Sequence, residues 1–377
     1  MDMLTGSVAF LTGYIVPFLL VLTLIVFIHE LGHYLAGRWS GIGITAFSIG
    51  FGPELIGFND RHGTRWKLSA IPLGGYVKFL GDEDAASIPD YDALATLPEA
   101  ERKRTFLGAA LWKRAITVAA GPIANFILAI AIFAVMFSIY GRQVADPIVA
   151  EVRPGSAAEA AGVQKGDLLV ALDGNPVATF DDVRRYVSVR PELKITVTVR
   201  RDGADLDLPM TPQRTEITDQ FGNKMELGLI GIVTNQETGN FRVVEYGPVE
   251  AVGQGVLQSW HIVTGTFDYL SNLISGRMKA DQLGGPIRVA QASGQMATLG
   301  VAAVLQLAAV LSVSIGLLNL MPVPVLDGGH LMFYAVEAIR GRPVGPGAQE
   351  IAFRIGMALV LMLMVFATWN DISMLLG

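Results

Sequence analysis

The chain of 377 residues contains no cysteine, only 5 histidines, and only 16% charged residues. Without cysteine there are no disulfides and no thiolate ligands, so any zinc must be held by histidine and carboxylate. Basic residues are outnumbered, 28 Lys/Arg against 34 Asp/Glu, for a formal net charge of −6. That balance argues against nucleic acid as a partner. Soluble domains carry about 25% charged residues and about 45–50% apolar residues with glycine counted. Here 51% are hydrophobic before the 42 glycines are added. Such a composition belongs to an integral membrane protein with a substantial water-soluble part, for which lipid is a partner.

Four apolar segments approach the roughly 20 residues that a bilayer's hydrocarbon core demands. They run over about 8–34, 115–140, 299–321 and 355–369. The first has no charged residue from Met3 to Ile28. It lacks a basic leading stretch and a small-residue cleavage site, and so reads as a retained helix, not a cleaved signal. Arg102, Lys103, Arg104, Lys113 and Arg114 precede the second segment, and Arg340, Arg342 and Arg354 lie between the third and fourth. By the positive-inside rule both connections face the cytoplasm, leaving the termini and the large 141–298 region on the far side.

At the end of the first segment stands His29-Glu30-Leu31-Gly32-His33. On a helix, residues i and i+4 are neighbours, so the two imidazoles share one face. Two neutral imidazoles at that spacing suit zinc, and the adjacent Glu30 can reach a water there as general base. The alternative is that His29 and His33 merely cap a membrane helix at the interface. Ionisable groups in a spanning segment are costly and usually mark function, and three within five residues need a common partner such as a dication. Catalytic zinc usually has three protein ligands plus water. The best third candidate is Asp327, in Asn319-Leu-Met-Pro-Val-Pro-Val-Leu-Asp-Gly-Gly329, at the same expected depth as His29 and His33. An Asp-Gly turn at a helix end is the plainer reading of that residue, and His330 is a rival ligand.

Between the first two segments, glycine-flanked alternation over 47–53 and 64–80 reads as short β-hairpins. Gly74, Gly75 and Tyr76 sit on a candidate edge onto which an extended substrate could add by main-chain hydrogen bonds. Residues 148–212 read as a separate module: a strand, a Pro154-Gly-Ser-Ala-Ala turn and short helix, Lys165-Gly-Asp-Leu-Leu, an amphipathic helix near 180–189, and a hairpin through Asp202-Gly203. This order closely resembles a bacterial-type PDZ domain. Val249–Ile274 has the spacing of an amphipathic helix suited to a membrane surface.

An H-E-x-x-H ending the first membrane helix, an N-x-x-P-x-P-x-L-D-G near the end of the third and a PDZ-like module between them resemble the site-2 protease family of intramembrane zinc proteases. Gly121-Pro122-Ile-Ala-Asn125 and Gly284-Gly-Pro-Ile-Arg-Val289 match further motifs of its RseP-like bacterial branch. That branch's best-known arrangement carries two tandem PDZ domains, whereas one copy is found here. The resemblance implies an inner-membrane, multi-pass α-helical protein of about four transmembrane helices, with a β-rich membrane-associated loop and an inserted, periplasmic α+β PDZ domain. It implies Zn2+ on His29, His33 and Asp327, Glu30 as base near the cytoplasmic side, and Asn319 in contact with substrate backbone. Asn125 reads as structural, an amide holding helices together. The implied partners are transmembrane substrates such as pre-cleaved anti-sigma factors or signal-peptide remnants, admitted by the PDZ domain as a size filter.

The expected organisation is a first span with the motif at 1–36, a cytoplasmic-side β-rich loop at 37–113 and a second span at 114–141. A PDZ domain at 142–213 and an amphipathic region at 214–298 follow, then a third span at 299–330, a cytoplasmic loop at 331–352 and a fourth span at 353–377. Two other classes compete. A non-catalytic adaptor binding exposed C-termini would leave the histidine motif incidental. A transporter would need an inverted repeat and paired broken helices, which the sequence does not display.

Overall fold

A computed structural model describes residues 11–82, 98–218, 224–234, 241–277 and 284–376. Residues 8–10 of the expected first span, and parts of the expected 37–113 and 214–298 regions, lie outside them. The chain divides into two compact units, Met1–Phe133 with Gly284–Gly377, and Ala134–Leu283.

Four helices are long and apolar enough to cross a membrane: Thr12–Trp39, Leu111–Tyr140, Val301–Asn319 and Pro346–Met374. At 1.5 Å per residue even the 19-residue third helix reaches about 28 Å, close to the hydrocarbon thickness of about 30 Å. Helix α1 (Val16–Trp39) follows a π-helical turn and carries the histidine motif in its second half.

Strands β1 (Ile44–Asn59) and β2 (Arg65–Phe79) follow. Instead of the short hairpins expected, these are two long strands that pair twice. Residues 44–49 of β1 pair with both 65–68 and 75–79 of β2, while 54–59 pair with 65–69. The chain can double back because Gly50, Gly52 and Gly74 take positive φ where a side chain would be strained. The result is a four-rung sheet with Gly75–Phe79 at one edge. Among the described residues no further strand pairs with that edge. The sheet packs Phe47, Val77 and Phe79 with Tyr34, Phe106 and Val118. Asp60, in the β1–β2 turn, accepts hydrogen bonds from the Tyr34 hydroxyl (2.7 Å) and the Trp66 indole (3.2 Å), which ties the turn to α1.

Helix α2 (Leu111–Tyr140) runs through Pro122. The second unit then holds β3 (Arg142–Ala145), β4 (Glu151–Val152), α3 (Ala157–Ala160), β5 (Leu168–Leu172), β6 (Asn175–Pro176), α4 (Phe180–Ser188), β7 (Ile195–Arg201), β8 (Ala204–Met210), β9 (Gln213–Thr218), β10 (Lys224–Leu229), β11 (Ile232–Val233), β12 (Phe241–Val244) and α5 (Pro248–Ile274). Its central sheet is antiparallel in the order β6-β5-β7-β8. Asp173-Gly174 and Asp202-Gly203 both have positive φ at the two turn positions, the backbone that a tight two-residue hairpin requires. Leu169, Leu172, Ile195, Val197 and Val199 of β5 and β7 form the core with Val183 and Val187 of α4. Thr179 caps α4 in a reciprocal box with Asp182.

Helices α6 (Pro286–Thr298), α7 (Val301–Asn319), α8 (Asp327–Arg340) and α9 (Pro346–Leu376) complete the first unit. Gly285 has no side chain to cap α6, and the buried carboxylate of Asp371 in α9 does so instead. It accepts from the backbone N–H of Gly285 (2.9 Å), Ile287 (3.0 Å) and Arg288 (3.0 Å). The stretch expected as a loop at 331–352 is helical on both sides of a short link. A helix with only a partial apolar face does not register in a search for spanning segments. Pro346 then starts α9 earlier than its apolar run suggests.

Candidate metal centre

The site is built where α1, α2 and the start of α8 meet. His29 and His33 lie one turn apart on α1, their ring centroids 4.8 Å apart. Asp327 is the first residue of α8. The His29 and His33 Nε2 atoms are 3.2 Å apart, and each faces Asp327 Oδ2, at 3.1 and 3.5 Å respectively. Four donors around zinc with bonds of about 2.0–2.1 Å are separated by about 3.3–3.4 Å if tetrahedral. The three observed separations bracket that value. Asp327 Oδ2 is buried and accepts no hydrogen bond of normal geometry. A buried carboxylate oxygen in that condition is costly unless a cation satisfies it. Among the described residues these three form the group that could hold a metal ion.

His330, the rival ligand, is outside that group. Its ring packs on Phe353, centroids 5.3 Å apart, and lines a cavity of about 970 Å3 bounded by α8 and α9.

Glu30 is buried on the same helix and meets β2. A Cβ placed on Gly75 would lie 3.0 Å from Glu30 Cγ and 2.7 Å from Ser48 O, so only glycine lets the edge strand pass this close. Gly74, with φ +143°, packs against the Phe51 ring, and Tyr76 stacks on Phe51 with Lys67 over its face. Of the substrate-binding candidates, Gly75 therefore touches Glu30, while Gly74 and Tyr76 sit beside it on the same edge. Asn319, the last residue of α7, is half-buried, and among the described residues it makes no hydrogen bond to the histidines or Asp327.

Reading the sequence alone missed the contribution of α2. The Thr117 carbonyl accepts from His33 Nδ1–H (2.9 Å), and the Asn125 carboxamide lies 3.3 Å from His29 Nδ1. Between them, a Cβ on Gly121 would fall 2.3 Å from His33 Nε2, and a Cβ on Gly32 would fall 2.3 Å from Ala120 O. Glycine at both places lets α1 and α2 approach until the imidazoles touch the α2 backbone. Thr117, Gly121 and Asn125 are spaced i, i+4, i+8, one helix face. That spacing was present in the sequence, but its meaning depends on knowing that α1 lies against it. Asn125, expected to hold helices together, meets His29, while its backbone oxygen accepts from Ser312 of α7 (2.8 Å).

Four helices long and apolar enough to cross a membrane, with a His-Glu-x-x-His pair and a converging aspartate, define a class, the membrane zinc metalloproteases. Known proteins make the assignment specific. The chain belongs to peptidase family M50, the site-2 protease family, whose model matches residues 17–363. A relative in Rhizobium meliloti (strain 1021), named as a zinc metalloprotease, is 75% identical over 365 residues, covering 97% of this chain and 98% of the relative. One in Agrobacterium fabrum (strain C58 / ATCC 33970), named likewise, is 71% identical over 377 residues and the full length of both. Metalloprotease MmpA of Caulobacter vibrioides is 38% identical over 381 residues, covering 95% of each chain. This chain is accordingly a zinc metalloprotease with membrane helices and a β-rich region.

Proposed function

We propose that this protein hydrolyses peptide bonds inside transmembrane segments of other membrane proteins, with zinc held by His29, His33 and Asp327. The observation that carries the reading is the convergence of those three donor atoms from two helices, 3.1–3.5 Å apart, beside the buried carboxylate of Glu30. Zinc, when bound, supplies Lewis acidity that acidifies water and polarises the scissile carbonyl. Glu30 takes the proton from the attacking water on a carboxylate oxygen and returns it to the leaving amide nitrogen.

A helical peptide bond is shielded by its own hydrogen bonds, so the substrate must unwind. The edge Gly75–Phe79, with Gly74 leading into it and Tyr76 along it, offers main-chain groups to an extended segment beside Glu30. Asn319 is the candidate contact to substrate backbone. The charge pattern favours a multi-pass inner-membrane protein with the site near the cytoplasmic side and the 142–213 module in the periplasm. The strand order, the Asp-Gly turns and the capped α4 support a PDZ domain there, acting as a size filter for substrates already shortened. Anti-sigma factors and signal-peptide remnants are the substrate kinds implied.

The test is Glu30→Gln, expressed with a membrane substrate whose extracytoplasmic part has been trimmed. Cleavage stops, at least 100-fold slower, while protein level and zinc content hold. Retained cleavage overturns the assignment of Glu30 as base.

A further inference from the structure

The two imidazoles of this site are held differently from behind. Zinc binds a neutral imidazole through one nitrogen, so the other must carry the ring proton and find an acceptor for it. For His33 the acceptor is the Thr117 main-chain carbonyl, which cannot do anything but accept. That ring is fixed with its proton on Nδ1 and its lone pair on Nε2, facing Asp327.

For His29 the group behind Nδ1 is the Asn125 carboxamide, at 3.3 Å, which carries an acceptor, Oδ1, as well as a donor, Nδ2. A ring proton on Nδ1, donated to Oδ1, leaves the Nε2 lone pair facing Asp327 Oδ2, 3.1 Å away. Asn125 Oδ1 is buried and has no other hydrogen-bond donor. A buried, unsatisfied amide oxygen is costly, about 1–3 kcal/mol by the usual measure.

We propose that Asn125 is a positioning residue: its Oδ1 accepts the His29 Nδ1 proton and so holds the Nε2 lone pair toward the metal. His33 is held for metal by a backbone carbonyl, His29 by a side chain that substitution can change. Side-chain replacement leaves the bond from Ser312 to the Asn125 backbone oxygen in place, so the contact between α2 and α7 survives the test. The inference rests on His29 and His33 being zinc ligands.

The experiment compares wild type, Asn125→Asp and Asn125→Leu as purified full-length protein. It measures zinc affinity by competition with a chromophoric chelator, the ligand-field spectrum of the cobalt-substituted forms, and thermal unfolding of the metal-free forms. Aspartate can only accept, so Asn125→Asp keeps zinc affinity at or above wild type, with a wild-type-like cobalt spectrum. Leucine offers no acceptor, so Asn125→Leu weakens zinc 10–100-fold, a range of about that size being typical for partners behind a ligand. A residue that only packed helices together would give the opposite order, with the buried charge of aspartate doing the greater damage. Zinc binding as weak in Asn125→Asp as in Asn125→Leu, or unchanged in Asn125→Leu, overturns the role of Asn125 alone. A wild type that binds no zinc overturns the metal site with it.

Discussion

The two units of this chain differ at their most buried positions, which are apolar in one and a mixture of apolar and polar in the other. In the Ala134–Leu283 unit the least exposed side chains are apolar, with Leu169, Leu172, Val197 and Val199 at 0%. In the other unit Thr117, Asn125, Ser312, Ser293 and Asp371 are buried, while Val301, Ile355, Leu363 and Val365 of the long helices lie at the surface. The difference lies in the solvent. Water drives apolar groups inward, whereas lipid gives helices no such drive, so small residues and polar contacts decide which faces meet. A helix interior built from polar groups also gives ionisable residues partners they would lack in lipid, which is where a metal site can be afforded.

The sharpest way to break that comparison is Gly121→Ala. It adds a single methyl to a membrane helix, yet places it against His33 Nε2. Peptidase activity should drop about 100-fold, the cost of misplacing a reacting group by roughly an ångström. Zinc content should fall in parallel and unfolding of the second unit should be unchanged, as read by metal analysis and calorimetry. An active, zinc-loaded variant would mean that close approach of α1 and α2 is not what sets the site.

Next in size, Leu172→Ala in the second unit should destabilise that unit by roughly 2–5 kcal/mol in chemical denaturation. Bound zinc should be unaffected. The pair of buried Asp167 and half-buried Arg201 comes after it, with Arg201 Nε and Nη2 donating to both carboxylate oxygens at 2.7 and 2.6 Å. Asp167→Asn should destabilise the unit by less than Leu172→Ala does, because the Arg201 left behind is partly exposed. The Arg201 guanidinium holds the Asp167 carboxyl below the usual carboxylate range. The unfolded chain therefore takes up the proton first. Stability from this pair is complete above about pH 5 and drains away as pH falls through about 4 and lower. Asp167→Asn should flatten that acid limb, which denaturation at a series of pH values reads directly. Smallest of all, Leu363→Ala on the exposed face of α9 should shift stability by under about 0.5 kcal/mol. The same leucine-to-alanine change would then weigh heavily in one unit and hardly at all in the other.

Much of this was legible in the sequence because its signals are local. The four apolar runs, the His29–His33 spacing and the two Asp-Gly turns each depend on a few consecutive residues. Asp327 was legible for another reason: acids are rare in the apolar segments, and its place at the end of the third one set its depth. The doubled pairing of β1 and β2 was not legible, since alternation reports strands but not how often a strand meets its partner. Nor was α8, whose apolar face is partial. Asn125 was hidden longest. Its side chain has meaning only through His29, ninety-six residues earlier, and no periodicity in α2 names that partner.

The most direct test is the zinc content of the purified protein beside that of Asp327→Ala, measured in lipid nanodiscs after exhaustive dialysis. Three ligands meeting on one cation predict a single zinc per wild-type chain and almost none in the variant, with both equally folded. Full zinc occupancy in Asp327→Ala, or none in the wild type, would contradict the account at its centre.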